Sequence, residues 1–255
     1  VIGEALIANK GLIGAAAFVA LFVLERAFAA DHARGGWARL RRNGVLWASL
    51  FILSPLIVLP LATLAAEHPV WARPDAWPAA ATLLADIVIL DLWAYLVHRA
   101  YHEVPLMRRL HRVHHLDQHL DTTSAVRFHP GEVGLSALLR IPPIMLLGVP
   151  FAHVVIFETV LLVCSFFHHS NVRLPARFEA ALSRVIVTPS IHWVHHHAVA
   201  ADTNSNYSAI FSFWDRIFRT RSAARRTPGM PMGLQGVADK SAIGLLLLPF
   251  RNLRT

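Results

Sequence analysis

Long apolar blocks dominate the first two thirds of this chain. Residues 12–28, 45–66 and 79–97 are each nearly unbroken hydrophobic stretches, and ~20 such residues in a helix cross the ~30 Å of a bilayer core. A fourth block, 133–167, is too long for one crossing and is interrupted by Pro142, Pro143, Gly148 and Pro150, residues that end helices or make turns. It reads as two helices forming a tight hairpin. Inside hydrocarbon every backbone N–H and C=O must be satisfied within the segment, so the expected fold is all-α, an integral membrane helical bundle of four to five spans. No low-complexity linker divides the chain, and a single membrane domain over residues 1–255 is expected.

The first block lacks the basic start, short apolar core and small-residue cleavage site of a signal peptide. The sequence begins at Val1 rather than Met, from which a short missing N-terminal piece is expected. A net charge of +8 could suit nucleic acid, but the basic residues sit beside apolar spans, where anionic lipid headgroups account for them. No nucleic-acid partner is expected. Cys164 is the lone cysteine, which excludes an intrachain disulfide and a thiolate metal site. Basic residues are retained on the cytoplasmic side: Arg34, Arg39, Arg41 and Arg42 lie between the first two spans, against only Arg73 among Glu67 and Asp75 in the next loop. The first loop is then cytoplasmic, and counting spans puts the C-terminal third there too.

That side of the membrane carries most of the chemistry. Nine of the 16 histidines fall at His98 and His102, at His111, His114 and His115, at His169, and at His192, His195 and His196. Residues three and four apart share a helix face, so each set aims its imidazoles at one point. Imidazole suits iron, zinc, copper and nickel rather than magnesium or calcium. A zinc site rarely uses more than four ligands, so nine nitrogens are too many for one ion and about enough for two. The topology, assigned from charge alone, puts all nine on one side, in a cytoplasmic helical cap. Asp91, Tyr95, His98 and His102 form one helical stripe. Asp91 could accept the second ring N–H of a ligand histidine, or be a packing carboxylate satisfied by a neighbouring Ser, Thr or Trp. For Asp86 the packing role is expected. His32, His68 and His153 have no partner at ligand spacing and are expected to matter little.

The stretch from residue 86 to 220 resembles the fatty acid hydroxylase superfamily, which includes sterol desaturases and alkylglycerol monooxygenases. The resemblance rests on Asp91 to His102, on His111, His114 and His115, on Arg127, His129 and Glu132, on Phe167, His169 and Asn171, and on His192, His195 and His196. It continues into Asp202, Asn206, Tyr207, Trp214, Asp215 and Phe218. It implies a membrane enzyme whose histidines hold two irons that activate O2 against an unactivated C–H bond of a lipid. Zinc could substitute adventitiously. The nine histidines match the family's ligand positions, with His129 as a tenth, while His168 and His197 are expected to stand behind the ligands or at the surface. Asp91, Glu132, Asn171, Asp202 and Asp215 are expected to orient histidines from behind. For Glu132, Asp202 and Asp215, pairing with Arg127 and Arg216 is the alternative. Ser208 and Arg219 stand where many relatives have glycine. His129-Pro-Gly is similar to a cytochrome b5 haem loop, but there is no room for that domain here. Electrons are therefore expected from a separate donor (a ferredoxin, cytochrome or flavin reductase).

The expected reaction is O2-dependent hydroxylation or desaturation of a sterol, fatty acyl chain or ether lipid. A membrane metal carrier or sensor is the alternative, but a carrier needs polar residues near the midplane of several helices, and the histidines sit at span ends. Composition rich in Ala and Arg, without retention signals, points to a bacterial inner membrane. The run 245–250 is too short to span, and is expected to lie on the membrane or pack on the domain.

Overall fold

A computed structural model describes residues 2–32, 35–74 and 77–251. Arg34 and Asp75, two of the charges used to orient the spans, lie outside the described residues. Among these, the chain is helical, with isolated bridges and no strand. Helix α1 is Ile2–Ala27. Helices α2 (Trp37–Leu53) and α3 (Leu59–Glu67) are joined by a π turn, Ser54–Val58, into one rod. Pro55 and Pro60 each remove an N–H from this stretch, and the Leu59 N–H reaches back five residues to the Ser54 carbonyl, the widened register of a π turn.

Helix α4 (Ala79–Glu103) spans ~37 Å at 1.5 Å per residue, long enough to cross and still project His98 and His102 at its end. It stops because Val104 precedes Pro105 and is driven to extended geometry (φ −86°, ψ 120°). The chain turns there, and α5 (Pro105–His115) folds back beside α4. Helix α6 is Pro130–Leu147 and α7 is Phe151–His169. The break between them falls at residues 148–150, where Gly148 takes φ +58°. A Cβ there would approach the Trp71 carbonyl to 3.1 Å. Pro142 and Pro143 stay inside α6. The expected tight hairpin is corrected in one respect: α6 leans mainly on α3, and α7 mainly on α1. Its legs are splayed, linked by Glu158 of α7, which bridges Arg140 of α6 (2.7 Å) and Lys10 of α1 (2.6 Å).

Four helices are long and apolar enough to cross a membrane: α1, the α2–α3 rod, α4 and α7. Their outward faces expose Val19, Val23, Phe51, Ile52 and Leu84, surfaces stable only against lipid. The protein is an integral membrane protein. Between the helices, Ala62, Ala65, Leu90, Ile144, Val154 and Phe157 form the largest apolar core. At one end Asp86 is gripped by Arg73 (2.7 Å) and His153 (2.7 Å), so Asp86 has the expected packing role and His153 has a partner that helical spacing does not reveal.

At the other end, short helices α8 (Ala176–Leu182), α9 (Pro189–His195), α10 (Ala200–Thr203), α11 (Phe213–Ile217) and α12 (Ala242–Leu247) build a cap. Leu245 and Leu248 pack on Leu46, Val113 and Leu116, so the terminal apolar run docks on the cap. Arg39, at the start of α2, is buried against Asp117, just beyond α5. The first loop and the histidines therefore share one end of the bundle. Arg39 is correspondingly not a headgroup-facing charge.

Candidate metal centre

Four elements converge at the cap. Helix α4 brings His98 and His102, α5 brings His111, His114 and His115, the last turn of α7 brings His169, and α9 with its C-cap brings His192, His195 and His196. Pro189 opens α9 at its first position, where its missing N–H is harmless. All nine rings gather into two groups: His98, His102, His111, His115 and His195, and then His114, His169, His192 and His196. Within each group one candidate ligand atom per residue lies within 4.8 Å of the others. The groups adjoin, the His115 and His196 rings being stacked at 4.4 Å.

The protonation pattern follows from partners behind the rings. His98 Nδ1 faces the Tyr207 carbonyl (2.8 Å), His195 Nδ1 that of Ser205 (2.7 Å), His169 Nδ1 that of Ser165 (2.7 Å) and His114 Nδ1 that of Arg127 (3.3 Å). A carbonyl only accepts, so each Nδ1 carries the proton and each Nε2 presents a lone pair. His111 Nδ1 meets a Glu132 carboxylate oxygen at 2.6 Å, the carboxylate–imidazole pair commonly found behind metal ligands. Burial, then the proximity of the other imidazoles, holds His114, His115, His192 and His196 well below the ordinary histidine range, and His195 likewise. These five are neutral at pH 7 and free to ligate.

The lone pairs then face one another. His114 Nε2 lies 3.1 Å from His169 Nε2, and His98 Nε2 lies 3.2 Å from His111 Nε2, although in the first pair both protons are committed to carbonyls on the far side. Nε2 of His102, His115 and His195 is buried with no partner. Buried polar atoms are normally satisfied, and opposed lone pairs at this distance repel unless a cation lies between them. The donor set fits transition-metal ions.

The remaining expected residues divide. His129 stands apart from both groups: its Nδ1 accepts the Gly131 N–H (2.9 Å), capping α6, and its Nε2 donates to the Leu246 carbonyl (3.0 Å). Both nitrogens are spent on the fold. His168 is buried with its ring 4.1 Å from that of His192, behind the second group. His197 pairs with Asp202 (2.8 Å), which also accepts from Ser222, so Asp202 reaches none of the nine. Asn171 ties Asp31 and Arg226.

Asp91 touches no histidine. It accepts from the Ile210 and Phe211 backbone N–H groups (3.0 and 2.9 Å) and the Trp214 indole (2.9 Å). Asp215 accepts from Tyr207 N–H (2.7 Å), Ser208 N–H (3.1 Å) and the Thr220 hydroxyl (2.7 Å). The two carboxylates thus clamp the loop whose Ser205 and Tyr207 carbonyls orient His195 and His98. Arg127 pairs with Asp239, and Arg216 with the Arg184 carbonyl, so neither arginine pairs with Glu132, Asp202 or Asp215. The orienting carbonyls were missed by sequence reasoning, because every residue has one.

A family model described as fatty acid hydroxylase matches residues 83–220, more than half of the chain. The ornithine lipid hydroxylase of Rhizobium tropici is 28% identical over 212 residues, 83% of this chain and 63% of that protein. Methylsterol monooxygenase 1 of Rattus norvegicus is 30% identical over 193 residues, 73% of this chain and 62% of the relative. Alkylglycerol monooxygenase of Homo sapiens is 27% identical over 153 residues, 60% and 32% respectively. The chain therefore spans less than two thirds of the length of each of these relatives. No solved structure matches it.

Proposed function

Because this chain belongs to the fatty acid hydroxylase family, we propose that it is an O2-dependent lipid oxygenase, one that hydroxylates or desaturates an unactivated C–H bond. Its relatives named for hydroxylation of ornithine lipid and oxygenation of alkylglycerol and methylsterol support a lipid substrate. The observation that carries the reading is the pair of adjoining histidine groups with opposed, partnerless lone pairs. In this proposal one iron is held by His98, His102, His111, His115 and His195, and a second by His114, His169, His192 and His196. His129 is left out of the ligand set. Two such irons would supply, once reduced, the activation of O2 that attack on an alkyl C–H requires.

The protein's own part is preorganisation. The Tyr207, Ser205, Ser165 and Arg127 carbonyls hold protons on Nδ1, so Nε2 lone pairs converge without rotamer search. Glu132 draws on the Nδ1 proton of His111 and makes that imidazole a stronger donor. Burial of eight of the nine rings, all but His98, keeps bulk water from the reacting centre. Residues 1–255 act as one membrane domain in this reading, with the core of the site in 86–220. In this reading the excess of basic residues in the first loop over the next supports a cap on the cytoplasmic side, the membrane is a bacterial inner membrane, and a separate electron donor docks on the cap. A metal carrier is not favoured, since the nine histidines sit together at one end of the bundle rather than along a path.

The test is elemental mass spectrometry of detergent-purified protein from iron-supplemented cells. The expected result is about two metals per chain, lost in His195→Ala, with O2-dependent oxygenated lipid in cells expressing the wild type only. An active His195→Ala variant would overturn the assignment.

A further inference from the structure

A cavity of about 240 Å³ opens beside the five-histidine group. Its buried wall is Tyr101, His102, His111, His115 and Thr203, and its outer wall includes the exposed Arg108 and the half-buried Arg112. Leu234 and Val237 line the side between. His102, His111 and His115 of the five-histidine group form part of that wall, so the cavity borders the group, while the partnerless Nε2 atoms of His102 and His115 lie buried behind it. The cavity lies beside the C-terminal end of α4, a helix long and apolar enough to span a membrane.

The charge of the outer wall is unbalanced. Arg108 and Arg112, four apart on α5, flank the face that carries His111 and His115, and Arg109 lies beside them. Among the described residues, no carboxylate forms an ion pair with any of them; the neighbouring Glu103 is engaged by Arg99 at 2.7 Å. Arg108 is fixed by bonds to the His102 carbonyl, which leaves an edge of its guanidinium uncommitted. Elsewhere in the cap, buried arginines are matched to aspartates, as Arg39 is to Asp117 and Arg127 to Asp239. Here no matching anion is present among the described residues. Guanidinium forks bind carboxylate or phosphate in a bidentate manner, and small-molecule pockets are typically ~300–1,000 Å³. This one holds only part of a lipid.

We infer that the cavity is a headgroup pocket, in which Arg108 and Arg112 bind a carboxylate or phosphate of the lipid substrate while the adjoining carbons lie along Leu234 and Val237 toward His102, His111 and His115. The inference rests on the oxygenase reading above and narrows its substrate class to lipids with an anionic group.

The test uses full-length protein in nanodiscs of zwitterionic phosphatidylcholine, with binding measured by calorimetry for dodecyl phosphate, laurate, dodecanol and inorganic phosphate. Expected is saturable binding of dodecyl phosphate and laurate, weakened about tenfold or more in Arg112→Gln. Dodecanol and inorganic phosphate should each bind at least about tenfold more weakly than dodecyl phosphate. The Arg112 side chain makes no hydrogen bond or ion pair among the described residues, so this variant keeps its structure; Arg99→Gln serves as the control, with affinity unchanged. Wild-type affinity in Arg112→Gln, or dodecanol binding as tightly as laurate, would overturn the pocket. Inorganic phosphate binding as tightly as dodecyl phosphate would make it a free-anion site and overturn the lipid assignment. Arginine variants that block reduction by an acidic electron-transfer protein, yet bind dodecyl phosphate normally, would reassign the patch to partner docking. Metal content of the same samples separates the two readings. Arginine-dependent binding in a protein that holds no metal would overturn the oxygenase and leave the pocket; a metal-loaded protein whose binding ignores the arginines would do the reverse.

Discussion

Two buried polar regions meet at α5, and they are built on opposite rules. On one side Arg39 holds Asp117 (2.6 Å) and Asp121 (2.7 Å), Asn43 donates to Asp117 and Thr123, and Arg127 reaches Asp239 (2.5 Å). No side-chain atom of these residues is left without a partner. On the other side, His102, His115 and His195 bury Nε2 atoms that touch no donor. A satisfied buried network rigidifies and specifies a fold, whereas a partly satisfied one is a liability unless something else completes it. The charged region therefore serves the architecture, and the histidine region has the donors to hold a metal ion. The Asp117 carboxyl shows the first rule: burial opposes its charge, but Arg39 and then Arg127 more than offset that and hold it well below the usual carboxylate range.

The largest effect expected is on the charged side. Asp117→Ala takes from the buried Arg39 guanidinium its fully buried partner and leaves it Asp121 and Ser124; removing one partner of a buried pair costs about 3–5 kcal/mol, and the contacts that remain put the loss at the lower end. Thermal unfolding of the metal-free protein in detergent should show that loss directly. If the metal-free Asp117→Ala protein were as stable as wild type, the network would not be structural and the contrast would collapse.

The converse substitution is His114→Ala. It should abolish metal retention and activity, yet lower the stability of the metal-free protein less than Asp117→Ala does, because it relieves the opposed pair with His169. Chelation should lower the unfolding temperature of wild type by linkage and leave that of His114→Ala unmoved. A chelator response in the variant equal to wild type would show that the ion sits elsewhere.

Glu132 stands between the two behaviours, since one carboxylate oxygen binds His111 and the other is buried without a partner. Glu132→Gln keeps the shape and removes the charge. Metal affinity, measured by competition with a chromogenic chelator, should fall about 10–100-fold, as for other residues behind a ligand histidine, with the unfolding temperature of the metal-free protein little changed.

How much of this was legible in the sequence depends on whether the signal was local. The nine histidines were, because spacings of three and four carry a direction around a helix axis, and the apolar blocks were, because length alone defines a span. Asp91 lies on the His98 stripe as expected, but seven residues along a helix is ~10 Å of rise, so it faces the Ile210 loop instead of a ligand ring. Periodicity gives a bearing and not a height. His129 failed differently: a histidine before Pro130 is both a good cap and a good ligand, and only the position of the Leu246 carbonyl, 117 residues away, decides between them. Arg39 looked like one more topology-setting charge because its partner Asp117 is 78 residues distant. The carbonyls of Ser205 and Tyr207 had no signal at all.

The smallest effect concerns the loop that supplies those carbonyls. Arg219 is exposed and adopts φ +56° just after α11, a left-handed conformation that strains an L side chain by roughly 1–2 kcal/mol. Arg219→Gly removes that strain but adds freedom to the unfolded chain worth roughly 0.4–1 kcal/mol, leaving a net stabilisation on the order of 0.5–1 kcal/mol. Metal content should not change, because Asp91 and Asp215 fix the loop from both sides and set where its carbonyls point. Thermal unfolding and metal analysis of the one variant check both statements. A gain in stability accompanied by loss of metal would mean that the strain at Arg219 itself positions His98 and His195, and the division between a self-satisfied scaffold and an ion-completed centre would have to be redrawn through this loop.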